Sequence, residues 1–191
     1  MTGPEPAAAA RGKGRWRRWL LELGLVLAVF LAVQLWQTRD VPRGAAPDFS
    51  RVTVQGQPLN LGQWRAAQGG GPVVLYFWAD WCPICKTLEG MVDTLGLEWP
   101  VLSIAMQSGD AAQVARSLAA RGLAWTTVAD ADGALAGAYG LKGVPALVVI
   151  DARGQIRFVS VGLTSGWGMA LRLWWASHFH GPEVPGPAPS K

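Results

Sequence analysis

Apolar residues along this chain fall into three patterns, each with its own structural meaning. The first is one long run at residues 20–36 (LLELGLVLAVFLAVQLW), broken only by Glu22 and Gln34. At helical rise it spans roughly 25 Å, the short end of what a bilayer core requires. Trp16, Trp19 and Trp36 bracket it in the manner of interfacial anchors. The second pattern is the continuous run of strand length, Val73–Trp78 (VVLYFW), which suits a strand covered on both faces. Val101–Met106 and Ala146–Ile150 predict two further strands. The third is helical spacing: Ile84, Leu88, Met91, Val92 and Leu95 predict a helix over 83–95. Pro83 is tolerated at its start because the first turn needs no donor there.

Breaks and caps place the remaining elements. Residues 51–54 and 58–61 flank Gln55-Gly56-Gln57 as a hairpin-like unit, and a short helix carrying Trp64 starts near Gly62. The Gly69-Gly70-Gly71-Pro72 break resets the chain. Residues 110–121 predict a helix with Asp110 as N-cap and Gly122 as its stop. After a turn at 130–133 and a short helix around 135–139, residues 155–161 pair with Ala146–Ile150 across Asp151-Ala152-Arg153-Gly154. Residues 167–179 form a last helix. The resulting plan is a basic N-terminus at 1–19, an anchor at 20–36, a linker at 37–47, one α/β domain at 48–180 and a Pro-rich tail at 181–191. A chain of 191 residues supplies one such domain with a filled core, and not two.

Charge changes this picture in one respect. The net +4 is already reached before residue 20, where Arg11, Lys13, Arg15, Arg17 and Arg18 stand against Glu5. Of the chain's 17 basic and 13 acidic residues, the rest balance at 12 each. A neutral body with a basic head has no stripe to track phosphates, which excludes nucleic acid as a partner. The same asymmetry keeps the N-terminus in the cytoplasm and puts the domain on the far side of the membrane. No small-x-small cleavage site follows the apolar run closely, so the segment is read as an uncleaved, single-pass anchor in contact with lipid. In a bacterium the anchor lies in the inner membrane and the domain in the periplasm, where disulfide chemistry is permitted.

The only two cysteines sit in WADWCPICK, as Cys82 and Cys85. Two cysteines do not make a four-ligand zinc site, and His178 and His180 lie far along the chain, so no metal is expected. As a staple the pair is weak, because closing a loop of two intervening residues removes little unfolded-state entropy. Reactivity is the better use. Cys82 falls where the buried strand ends and the helix begins, which aims unpaired amides at its sulfur and favours thiolate. Lys86 adds a cation in the next turn. Cys85 lies one turn further in and is expected to be shielded, whereas Cys82 is expected to be exposed.

The run VVLYFWADWCPICK, followed later by GVPALVVIDARG, resembles the thioredoxin superfamily. The leading hairpin, the extra strand and helix between the motifs and the anchor are most similar to the membrane-anchored TlpA/ResA/DsbE group. The Trp-Cys-Pro-x-Cys form is similar to its ScsD-like (suppressor for copper sensitivity D) branch. The resemblance implies an α/β, thioredoxin-like fold with a central mixed sheet flanked by helices. It also implies a protein disulfide oxidoreductase whose redox centre is the Cys82–Cys85 disulfide, with no cofactor. Pro145 corresponds to the family's cis-proline, and Val144 to the residue that offers its backbone to a bound peptide. Trp81 and Pro83 complete the substrate-binding set. The implied partners are protein thiols and disulfides and a membrane electron donor of the DsbD/ScsB type, with the protein acting as a monomer and as a reductase.

One departure from the family bears on mechanism. Thioredoxin has a buried aspartate six residues before the first cysteine, and this chain has Tyr76, a poor base near neutral pH. Glu89, four residues after Cys85 on the same helix face, is the candidate proton relay. Three other readings fit less well, one of them a redox-inert adaptor, for which the intact motif pair makes a poor case. A peroxiredoxin-like peroxidase wants Pro-x-x-x-Thr-x-x-Cys, and Cys82 is preceded by LYFWADW. A copper-handling metallochaperone wants wider cysteine spacing and a nearby histidine.

Overall fold

The computed structural model describes residues 12–42 and 44–178, so the expectations for residues 1–11 and 179–191, His180 included, lie outside the described residues. The chain divides into two units, Met1–Gln37 and Thr38–Lys191. Helix α1 (Gly12–Thr38) runs for 27 residues, and its described apolar side chains, among them Leu21, Leu25 and Val29, are exposed. Among the described residues no helix is long and apolar enough to cross a membrane. Side chains at 30, 34, 35, 37 and 38 fall outside the description, so the anchor expected at residues 20–36 remains a reading of the sequence.

The second unit is built on a five-stranded sheet. Its strands are β3 (Val73–Trp78), β4 (Val101–Met106), β5 (Thr127–Asp130), β6 (Ala146–Ile150) and β7 (Ile156–Val161), in the order β5-β4-β3-β6-β7. β3 runs parallel to β4 and antiparallel to β6, so the sheet is mixed. All six β3 side chains are buried, as the unbroken apolar run predicts. Strand alternation divides them between two cores. Val73, Leu75 and Phe77 pack with Leu135 and Tyr139 on one face, and Val74, Tyr76 and Trp78 with Val92, Leu95 and Leu173 on the other. Each large apolar side chain so buried stabilises the fold by about 1.5–3 kcal/mol relative to exposure.

Helices α3 (Pro83–Glu98), α4 (Ala111–Ala120) and α6 (Gly166–His178) cover the face that carries Tyr76 and Trp78. Asp110 and Gln113 close a capping box at the start of α4, as the sequence predicts for Asp110. On the opposite face lie α5 (Ala134–Ala138), α2 (Leu61–Ala67) and the hairpin of β1 (Ser50–Val52) with β2 (Pro58–Asn60). Buried Asp130 accepts hydrogen bonds from the Leu135 and Ala136 amides at 2.9 Å, which fixes α5 to the end of β5.

Two features depart from the sequence reading. β5 was not anticipated: it is four residues long, has Thr and Asp at its ends, and lacks the continuous apolar run that marks its neighbours. The stretch read as a linker at 37–47 is also partly tied to the body. Ala46 and Gly44 exchange hydrogen bonds with Gly154 and Ile156 at 2.8 Å, and Asp40 pairs with Lys142 at 2.5 Å. Gly140 (φ +65°) is required beneath it, since a Cβ there would collide with the Asp40 carbonyl.

Candidate active site

The buried strand β3 delivers the chain to a tight corner, Ala79 to Trp81, and α3 begins directly after it. Cys82 is the N-cap of α3, and its Sγ accepts a hydrogen bond from the Cys85 N–H at 3.3 Å. Pro83 follows at the first helical position, where its missing donor is harmless. An amide aimed at a sulfur that gains charge on losing its proton is the arrangement of a reactive cysteine. Above the sulfur, the Cys82 thiol donates to the Val144 carbonyl at 3.7 Å, and the Val144–Pro145 peptide bond is cis. The corner after β3 and the loop before β6 therefore meet over one atom, although 62 residues separate Cys82 from Val144.

Both cysteines are free thiols, and both are buried. Cys82 is 5% exposed, which corrects the expectation that it would be open to solvent. The Val144 carbonyl occupies the space above it, a contact that no local pattern announces. Exposure lies instead on the rim, where Trp81 is 60% and Ile84 45% exposed and Pro83 is also exposed. Trp81 is held there by a hydrogen bond from Nε1 to the Gln107 carbonyl at 3.0 Å. Gln107 has φ +48°, the one positive value at a described non-glycine residue.

Cys85 is 1% exposed, and burial, followed by the neighbouring Cys82 sulfur, pushes its thiol up to about 12. At neutral pH this thiol is therefore held in its protonated form. Tyr76 lies beneath it and donates its hydroxyl to the Cys85 carbonyl at 3.3 Å. Burial, reinforced by Cys85, Cys82 and Glu89, pushes the phenol far above its ordinary range, so Tyr76 stays protonated. Glu89 is mostly buried and ion-paired with Arg121. No cluster of three or more metal-ligating side chains occurs among the described residues. A cleft of about 570 Å³ beside Trp64 and Asn60 contains none of the site residues.

Arg121 and Asp80 are the site residues the sequence did not disclose. Arg121, at the C-terminal end of α4, bonds Glu89 and reaches Asp80 at 3.4 Å, and its guanidinium lies 4.6 Å from the Trp78 ring centroid. Asp80 also accepts from the Ser117 hydroxyl at 2.5 Å. The available signal was the α4 periodicity, which places Ser117 and Arg121 one turn apart; what they face depends on how the inserted helix packs.

A mixed sheet, a Cys-x-x-Cys pair at a helix N-cap and a cis-proline facing it define a thioredoxin-like thiol-disulfide oxidoreductase. Within that class the chain belongs to the AhpC/TSA family, whose model matches residues 42–159. It is 31% identical over 162 residues to a thioredoxin-like protein of Haemophilus influenzae, covering 84% of this chain and 96% of that one. To the thiol:disulfide interchange protein DsbE of Escherichia coli it is 30% identical over 153 residues, covering 71% and 82%. Among solved structures, a secreted Mycobacterium tuberculosis disulfide oxidoreductase homologous to DsbE aligns with TM-score 0.53 and 27% identity, covering 66% of this chain and 94% of that one. A thiol:disulfide interchange protein from Chlorobium tepidum aligns with TM-score 0.56 and 26% identity, covering 72% and 98%.

Proposed function

We propose that this protein exchanges disulfides with substrate proteins in the bacterial periplasm, held at the inner membrane by residues 20–36, and that it works as a reductase. The observation that carries the chemistry is the seat of the Cys82 sulfur, between the Cys85 amide and the carbonyl of the cis Val144–Pro145 unit. Cys82 as thiolate attacks one sulfur of a substrate disulfide. The Cys82–substrate bond forms, the substrate disulfide breaks, and the released substrate sulfur takes a proton. Cys85 then gives up its proton and attacks the Cys82 sulfur. The Cys82–Cys85 disulfide forms and the second substrate thiol leaves, so two electrons pass from enzyme to substrate.

Glu89 is the acceptor we assign to the Cys85 proton, since Tyr76 is held in its protonated form. Trp81, Pro83, Val144 and Pro145 form the surface against which a substrate strand lies. Recharging requires a dithiol donor, for which a membrane electron carrier of the DsbD/ScsB type is the fitting class. The basic residues before the apolar run and the reactive pair beyond it support the anchored, periplasm-facing reading.

The test is a trap. With Cys85→Ser, a mixed disulfide on Cys82 should accumulate and carry the partner with it, while the wild-type protein reduces insulin. Recovery of no adduct together with no insulin reduction would sink the enzyme reading, and a reduction potential close to that of a strong oxidase would reverse the direction. Thiol peroxidase is the second reading, because an arginine does stand near the cysteines. That arginine, Arg121, is already engaged by Asp80 and Glu89. Leu75 and Ala79 also stand where the peroxidase pattern has Pro and Thr. Fast oxidation of Cys82 by micromolar hydrogen peroxide would restore it.

A further inference from the structure

Arg121 is used on every side. Its Nε donates to the Ser117 carbonyl at 3.2 Å and its Nη2 to the Ser117 hydroxyl at 3.1 Å. Nη2 also lies 3.4 Å from Asp80, Nη1 bonds Glu89, and the guanidinium plane covers Trp78. Asp80 precedes Cys82 by two residues, and Glu89 follows Cys85 by four. One cation from a different helix thus grips the cysteine motif from both flanks. The Arg121 and Glu89 side chains are 17% and 20% exposed, so water screens their pairing only in part.

We propose that Arg121 is a positioning residue: it fixes the Glu89 carboxylate beneath the motif and thereby sets the pH dependence of the step in which Cys85 resolves the mixed disulfide. The inference rests on the assignment of Glu89 as proton acceptor. In that step the Cys85 S–H proton passes to Glu89, the Cys85 sulfur bonds to Cys82, and the departing substrate thiolate receives the proton in turn. Arg121 keeps its own proton throughout. The other groups around the pair are accounted for. Tyr76 of β3 is neutral, and Asp80 and Cys82 come from the corner. Cys85, Lys86 and Asp93 share α3 with Glu89, with Asp93 bonded by the Trp125 indole. Arg116 on α4 is exposed, and on α6 Arg172 is bonded to Ser160 and His178 stacks on Trp174.

The experiment is a double-mutant cycle on the full chain, reading the single-turnover resolving rate against pH with a peptide disulfide as substrate. Arg121→Met should displace the acid limb of the profile, because the Glu89 carboxylate loses the cation that holds it in place. In a Glu89→Gln background the same substitution should move nothing, and Arg121→Lys should restore most of the shift. An unmoved limb in Arg121→Met, or an equal movement with and without Glu89, would overturn the proposal. Should Arg121→Met fail to fold, Ser117→Ala loosens the same guanidinium and should shift the limb in the same direction by less; no shift there counts against it equally. If Glu89→Gln alone leaves the limb in place, the Glu89 assignment falls first; if it removes the limb and Arg121→Met does not move it, only this inference falls.

Discussion

The two sulfurs of the site, three residues apart, face opposite kinds of surroundings. Cys82 meets the outside of the molecule through a thin cover, the Val144 carbonyl and the exposed rim of Trp81, Pro83 and Ile84. Cys85 meets the inside, with Tyr76 beneath it and the Glu89–Arg121–Asp80 group below the same helix. The upper side presents exposed apolar surface, and the lower side gathers charged groups that are only partly withdrawn from water. In the proposed reaction the sulfur under the Val144 carbonyl attacks, and the one whose thiol burial pushes up to about 12 resolves once its proton has somewhere to go.

The largest expected effect separates the two sulfurs outright. Cys82→Ala should remove disulfide exchange, by at least about 10³-fold as loss of a nucleophile does elsewhere, and yield no adduct. Cys85→Ser should keep the first half-reaction and stall at the mixed disulfide, seen as a stable adduct by mass. Equal adduct formation by Cys82→Ala would dissolve the division of labour.

A titration of the reduced protein sharpens the same contrast. The Cys85 thiol is raised from 9.0 to about 12 by folding, so above pH 9 the unfolded chain has released a proton that the native state still holds. Stability from this group is intact below pH 9 and falls as pH rises toward 12, where the native thiol also ionises. Alkaline denaturation should therefore begin earlier for wild type than for Cys85→Ser, as read by denaturant midpoints across that window. Coincident curves would mean that Cys85 is no harder to ionise when folded.

How far each side could be read from the sequence follows from how it is built. The upper side is local where an apolar run ends and a cysteine caps a helix, so the corner at Cys82 and Pro83 was legible from pattern, while Val144 and Pro145 were named only through the resemblance to the thioredoxin superfamily. Even there the burial of Cys82 escaped, because the Val144 carbonyl that covers it arrives from 62 residues away. The lower side is assembled at long range. Arg121 reaches Glu89 across 32 positions from a helix whose own pattern shows only which of its residues face the core. Glu89 is a candidate because it shares a helix face with Cys85, and no local pattern shows its ion pair with Arg121. β5 escaped for a related reason: four residues between a loop and a turn become a strand only because β4 stands ready to pair with them.

On the rim, Trp81→Ala should act on substrate more than on the fold. The ring is 60% exposed and makes one hydrogen bond to the Gln107 carbonyl, so stability should fall by no more than about 1 kcal/mol. KM for a protein disulfide should rise several-fold while the rate with a small disulfide stays near wild type. An equal loss with both substrates would place Trp81 among the groups that tune the sulfur, and the rim would lose its separate role.

The smallest effect tests the lower side from within. Tyr76→Phe removes one hydroxyl, at 3.3 Å from the Cys85 carbonyl, and leaves the ring stacked edge-on against Trp125. The hydrogen bond is long and its acceptor lies within a helix, so the loss should be about 1 kcal/mol or less by denaturant unfolding. The pH profile of resolution should not move, because burial holds the phenol protonated well beyond the working range. Glu89→Gln should move it. Tyr76 occupies the place at which thioredoxin keeps an acid, and the comparison asks whether the proton site has been lost or has migrated along α3. A profile that shifts with Tyr76→Phe and not with Glu89→Gln would return the proton to the strand and leave the Arg121 pair a purely structural clasp.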